Sequence, residues 1–181
     1  MIPMILDAAP RWALLHAPAL LIMVPLFLAP LLAILPSGRL SWLTSIFATA
    51  FSLFCALILV AQVQVSTGGV VGYDVGRWPV PIGITLRVDA LNSMILLLVS
   101  AIGVLATIFS WPTVKAEIPE RKHPLFYSAF LVCFAGLCGV AITGDAFNLF
   151  VFLEISSIST YVLVALGAGR DRRALPAAFN Y

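Results

Sequence analysis

Charge is what this chain has least of. Charged residues make up 10% of its 181 positions, ten basic against eight acidic. A formal charge of +2, with the basic residues scattered through short connections, offers no continuous patch to grip nucleic acid. Cysteine is scarce too. Cys55, Cys133 and Cys138 all fall inside apolar runs, where a disulfide framework or a four-ligand metal site has no means of assembling, so they read as small packing residues. There is no phosphate-cradling GK[ST] loop, no HExxH, no Cys-x-x-Cys and no Gly-x-Ser-x-Gly, which argues against a self-contained catalytic site. No redox cofactor ligand, metal site, low-complexity tract or internal repeat is visible.

What is present is apolar length. Hydrophobic residues make up 62% of the chain and its mean hydropathy is +1.09, far from the composition of a soluble domain. Apolar stretches recur along the chain, and a helical span needs about 20 residues. The expected fold is therefore an all-α integral membrane protein with five spans, over residues 18–35, 40–62, 88–111, 125–142 and 146–166. A sixth begins at 174, where Pro176 suits the first turn of a helix.

The first span contains Pro25 and Pro30, which kink it unless neighbouring helices compensate the lost hydrogen bonds. The start, with Asp7 ahead of Arg11, lacks the pattern of a cleaved signal peptide, so the first run is expected to be retained. Between the second and third spans the composition shifts to glycine, proline and alternating apolar residues, which predicts an extramembrane hairpin or ordered loop. PTVKAEIPERKHP reads as a polar connection between the third and fourth spans, and Thr143-Gly144-Asp145 as a tight corner before the fifth.

Lysine and arginine counted on alternate loops give orientation. One side carries Arg39, Lys115, Arg121, Lys122, Arg170, Arg172 and Arg173, and the other Arg11, Arg77 and Arg87. The N-terminus and the Gly/Pro-rich loop are therefore expected outside the cytoplasm.

Glu154 stands out against this background as the one carboxylate inside the fifth span. At about 1.5 Å of rise per residue it lies more than ~10 Å from the Asp145 end, where a charge costs at least ~2.5 kcal/mol. A carboxylate there can hold a proton, because desolvation raises its proton affinity and a nearby cation lowers it again. Ser157 and Tyr161 follow on the same stripe at i+3 and i+7, with Ser156, Ser159 and Thr160 adding hydroxyls able to stabilise the acid or order water. No lysine or arginine falls within an expected span, so the switching cation must come from elsewhere. The plainer alternative is a protonated, structural glutamate bonded to a neighbouring helix.

Other candidates have plainer roles beside functional ones. Asp145 and Asn148 form an i, i+3 pair suited to capping the fifth helix, or to proton entry. Arg87 and Asp89 flank the third span as an interfacial ion pair or a gate. His123, beside Lys122, reads as a solvated residue or a relay member, and His16 has no evident partner.

The segments TGDAFNLFVFLEISSISTYVLVALG, RRALPAAFNY and GYDVGRWPVPIGITLRVDALNSMILLL together resemble the antiporter-like membrane subunits shared by Mrp-type sodium/proton antiporters, their D-type component above all, and the proton-pumping subunits of respiratory complex I. The resemblance implies a larger subunit of about fourteen helices built from inverted five-helix repeats, with this chain its N-terminal part. It implies that Glu154 matches a glutamate paired with a lysine on a seventh helix beyond Tyr181. It also implies a multi-pass place in a bacterial-type inner membrane and partners among homologous and small membrane subunits, with protons, and sodium as a candidate, as the ions. The expectation is a proton-translocating subunit of a cation/proton antiporter or a complex I-like membrane arm, an NADH:quinone oxidoreductase-like assembly. The alternative is a non-transporting scaffold subunit that packs through small residues and aromatic rims.

Overall fold

The computed structural model describes residues 6, 10–78, 83–167 and 173–180, with the side chain of Arg77 excepted. Asp7, part of the loop at 79–82, and Arg170 and Arg172 from the orientation count lie outside the described residues.

Among the described residues five helices are long and apolar enough to cross a membrane. They are α1 (Arg11–Ile34), α2 (Gly38–Val65), α3 (Ala90–Glu117), α4 (His123–Ile142) and α5 (Ala146–Leu166), followed by a short α6 (Ala174–Asn180). Strands β1 (Val71–Asp74) and β2 (Thr85–Val88) form an antiparallel hairpin between α2 and α3, with Val71 opposite Val88 and Asp74 opposite Thr85. The chain is an all-α integral membrane protein with a small extramembrane hairpin. Gly68 and Gly69, at φ 101° and 67°, let the chain turn out of α2 through a backbone region closed to most side chains.

Helix α1 starts at Arg11 and runs through Pro18, Pro25 and Pro30, seven residues before the start expected at 18. Each proline deprives the carbonyl four residues earlier of its donor, and for two of the three α2 supplies a replacement. Gln62 Nε2 donates to the Leu14 carbonyl at 2.7 Å, the group that Pro18 leaves unpaired. Ser52 Oγ donates to the Leu21 carbonyl at 3.0 Å, the group that Pro25 leaves unpaired. Neighbouring side chains thus keep a proline-rich segment helical in lipid.

Helix α3 also outruns its expected end at 111, passing through Pro112 to Glu117. Residues 112–117 are therefore helix, not connection, because Val114 and the following Ile118 bury themselves in the core. Beside the proline, the Thr107 carbonyl accepts from the Trp42 indole at 2.8 Å and from Ser110 Oγ at 2.7 Å. Ser110 Oγ also meets the Tyr127 hydroxyl at 3.2 Å, which ties α2, α3 and α4 together.

The core divides along the membrane normal. Leu21, Leu59, Leu86, Val88, Phe134 and Ile142 belong to the cluster under the hairpin, and Ala29, Leu32, Val114, Tyr127 and Leu131 to one at the other end. Helix α4 is central, packing on α1 and α5 and also touching α2 and α3.

Candidate functional site

Position in α5 is set at its start. The Gly144 amide donates to the Thr85 carbonyl at 2.8 Å, and Thr143 bridges to Leu86, so the corner between α4 and α5 adds itself to the free edge of β2. A Cβ on Gly144 would lie 2.9 Å from the Thr85 carbonyl oxygen, so the close approach depends on glycine. Asp145 then caps α5, accepting from the Asn148 amide at 2.8 Å and from the Asn148 side-chain amide. The backbone N–H of Asn148, followed by its side chain, holds the Asp145 carboxyl below the usual carboxylate range.

Helix α5 lies tight on α4 because two glycines admit it. A Cβ on Gly136 would sit 2.9 Å from the Ser156 backbone nitrogen, and one on Gly139 would sit 2.3 Å from the Phe152 ring. Small residues at such an interface let helix backbones approach in lipid. This contact fixes the rotation of α5 and turns Glu154 to the exposed side.

Glu154 is the ninth residue of the 21 in α5, about 12 Å from its start at 1.5 Å per residue. It lines a recess of about 530 Å³ between α4 and α5, with Ser128 and Ser159 among apolar walls that include Leu125, Val132, Phe150 and Ile158. Among the described residues no side chain hydrogen-bonds or ion-pairs with Glu154.

The surrounding hydroxyls are differently employed from the expectation. Ser156, Ser159 and Thr160 donate to backbone carbonyls of their own helix, at Leu153, at Ile155 and Ser156, and at Ser156. They are therefore not directed at the carboxylate, the usual outcome for serine and threonine inside helices. Ser157 is half-buried and Tyr161 exposed.

Other candidates divide between the two ends of the bundle. Arg87, exposed on β2 opposite Gly72, and Asp89 lie at the hairpin end with Asp145 and Asn148. Asp89 caps α3, accepting from the Asn92 amide at 2.9 Å, while the Arg87 carbonyl accepts from the Asn92 side chain at 3.2 Å. His123 lies at the opposite end, and its expected solvation is wrong: it is 3% exposed. Its ring edge meets Trp111 with centroids 6.0 Å apart, and Nε2 is 2.9 Å from the Ile118 carbonyl. The continuation of α3 past Pro112 carries the chain to Ile118, which with Trp111 covers His123. The twenty residues of α4 put roughly 28 Å between the ends, so His123 is remote from the Asp145 end.

Two polar contacts had no signal in the sequence. His16, expected to lack a partner, has its Nδ1 2.9 Å from the Tyr73 hydroxyl, which joins α1 to the hairpin. Gln62 keeps its Oε1 buried without a partner while its Nε2 serves Leu14. The three cysteines are free thiols, and no group of three metal-ligating side chains is found among the described residues.

No family model matches the chain. It is 37% identical over 172 residues to the N-type subunit of the NADH-quinone oxidoreductase of Desulforudis audaxviator, a match covering 92% of this chain and 32% of that relative. It is 37% identical over 105 residues to the D-type component of the Na(+)/H(+) antiporter of Alkalihalophilus pseudofirmus, covering 58% of this chain and 21% of that protein. Among solved structures, the archaeal membrane-bound sulfane sulfur reductase, a respiratory membrane complex, has a chain that superposes with a TM-score of 0.78 at 29% identity, over 92% of this chain and 33% of that one. The chain thus spans about a third or less of the length of these relatives.

Proposed function

The chain belongs to the antiporter-like membrane subunit family that Mrp-type antiporters and NADH-quinone oxidoreductases share, and on that premise we propose that it is part of a proton-translocating subunit with Glu154 as its intramembrane proton carrier. The observation that carries this reading is the setting of Glu154. A carboxylate sits mid-span on an exposed helix face beside a recess with few polar groups. In hydrocarbon such a group is costly unless it protonates or gains a charged partner, and alternation between those two conditions is what a proton carrier needs.

The cycle has two states. When apolar surface closes over the recess, desolvation favours the protonated carboxyl. When a cation from another element of the assembly approaches, the ionised form is favoured and the proton leaves. The same carboxyl thus loads and releases one proton as its surroundings change. Ser156, Ser159 and Thr160 bond their own backbone, so in this reading the switch rests on the covering element, with Ser157 and Tyr161 on the glutamate's own stripe as the supporting hydroxyls. The cation exchanged against the proton, sodium or another, belongs to that larger assembly, as do the partner subunits. In this reading the hairpin lies outside the cytoplasm, a side that the lysine and arginine count on the opposite loops favours.

Glu154→Gln in the complete subunit, assembled with its partners and reconstituted in vesicles, tests the proposal. Proton-coupled cation movement should fall to background while assembly is retained, because the amide matches the protonated acid in shape but cannot ionise. Unchanged transport in that variant would remove Glu154 from the mechanism and favour a scaffold role for this part of the complex.

A further inference from the structure

At the end of the bundle opposite the hairpin, the α1–α2 turn, the last turns of α3 and the turn before α4 enclose a recess of about 570 Å³. Arg39, Lys115 and Arg121 line it, against Glu120 as the one acid among the lining residues. Among the described residues no carboxylate forms an ion pair with Arg39, Lys115 or Arg121. A concave site with three cations and one carboxylate selects for an anion. Ser37 adds a hydroxyl at its rim.

Position identifies the kind of anion. Trp111 lines the recess and meets Trp42 with ring centroids 5.4 Å apart and planes tilted by 32°, a tryptophan pair of the kind that marks the membrane–water boundary. Below Arg39, on the same stripe of α2 at i+4 and i+8, are Leu43 and Phe47, 55% and 61% exposed. Phe51 extends the track, its ring 6.2 Å from that of Phe47. The charged recess at the end of the bundle thus shares Arg39 with an apolar strip of α2 that runs toward the middle of the helix. A soluble anion uses only the first of these features, whereas a phospholipid uses both.

We propose that this recess holds the phosphate headgroup of an anionic phospholipid, with an acyl chain laid along the Leu43–Phe47 face of α2. Each basic residue near a membrane surface adds a favourable increment toward anionic lipid. The three cations together should give phosphatidylglycerol a preference over phosphatidylcholine of about a hundredfold. The inference does not depend on the transport reading, since Glu154 lies on another helix face.

Native mass spectrometry of the complete, assembled subunit in detergent, titrated with phosphatidylglycerol, phosphatidylcholine or inorganic phosphate, tests it. Phosphatidylglycerol should be retained far better than phosphatidylcholine, and the triple variant R39Q/K115Q/R121Q should lose that preference by about a hundredfold. Glu120→Gln removes the one opposing charge and should tighten phosphatidylglycerol by roughly fivefold. This second variant decides the matter even where the triple variant fails to fold. Equal retention of both lipids, or no tightening in Glu120→Gln, would overturn the proposal. Displacement of phosphatidylglycerol by inorganic phosphate at equal concentration would overturn it in favour of a free phosphate ligand.

Discussion

Helices α4 and α5 are neighbours of nearly equal length and similar apolar content, yet the fold treats them oppositely. Helix α4 buries Tyr127, Leu131, Phe134, Cys138 and Ile142 among its twelve buried residues, while α5 buries only Asn148, Ser156, Ser159 and Leu166. The polar residues of α4 are enclosed, whereas the one acid of α5 faces outward. Hydropathy is thus blind to the difference between a core helix and a helix with most of its surface exposed. In lipid both read as continuous apolar runs, because the solvent is as apolar as the core. The glycines of α4 and the carboxylate of α5 separate them.

The largest effect that can break this contrast is core truncation. Leu131→Ala should destabilise the fold by ~2–5 kcal/mol, as for a buried leucine, while Ile158→Ala, at a position 56% exposed, should cost under ~1 kcal/mol. Unfolding by graded denaturing detergent measures both, and equal losses would mean that the two helices are not distinct in kind. Next in size is Gly136→Val. Its added atoms have no room beside the Ser156 backbone, so ~1–3 kcal/mol of stability should be lost, with α4 and α5 forced apart. A spin-label pair across the interface should show the wider separation.

Smaller effects test how α5 is started and how α1 is held. Asp145→Ala removes the cap and should cost ~1 kcal/mol. Because the folded Asp145 carboxyl lies below its ordinary value near 3.8, the cap contributes fully above that pH. It is lost as pH falls through the lower folded value. Wild type and Asp145→Ala should therefore converge in stability only in strong acid, which a pH series of unfolding curves checks. The smallest change is Ser52→Ala, which strips the Leu21 carbonyl of its donor and should cost roughly 0.6 kcal/mol. Its mark is greater bending of α1 at Pro25, measurable by spin labels on either side.

The sequence made some of this structure legible. Hydropathy revealed the five spans, and the glycine-rich composition the hairpin, because lipid enforces length and turns enforce residue type. Glu154 was visible because a lone carboxylate in an apolar run is costly in lipid. Prolines misled at two places. Helix α1 begins before Pro18, where Gln62, distant in sequence, takes up the carbonyl that the proline frees, and α3 continues beyond Pro112, where Val114 and Ile118 are buried in the core. His123 looked solvated because its neighbours in sequence are basic, but its neighbours in space are Trp111 and Ile118. Ser156, Ser159 and Thr160 follow Glu154 but bond their own backbone, a choice that residue type alone does not reveal.

The most direct test of the account is whether Glu154 itself changes protonation during turnover. Infrared difference spectra of the complete, reconstituted complex, recorded as an ion gradient is applied, should contain a protonated-carboxyl band that disappears in Glu154→Gln. A spectrum unchanged by that substitution, with the complex still transporting, would contradict the central claim that this mid-span carboxylate carries the proton.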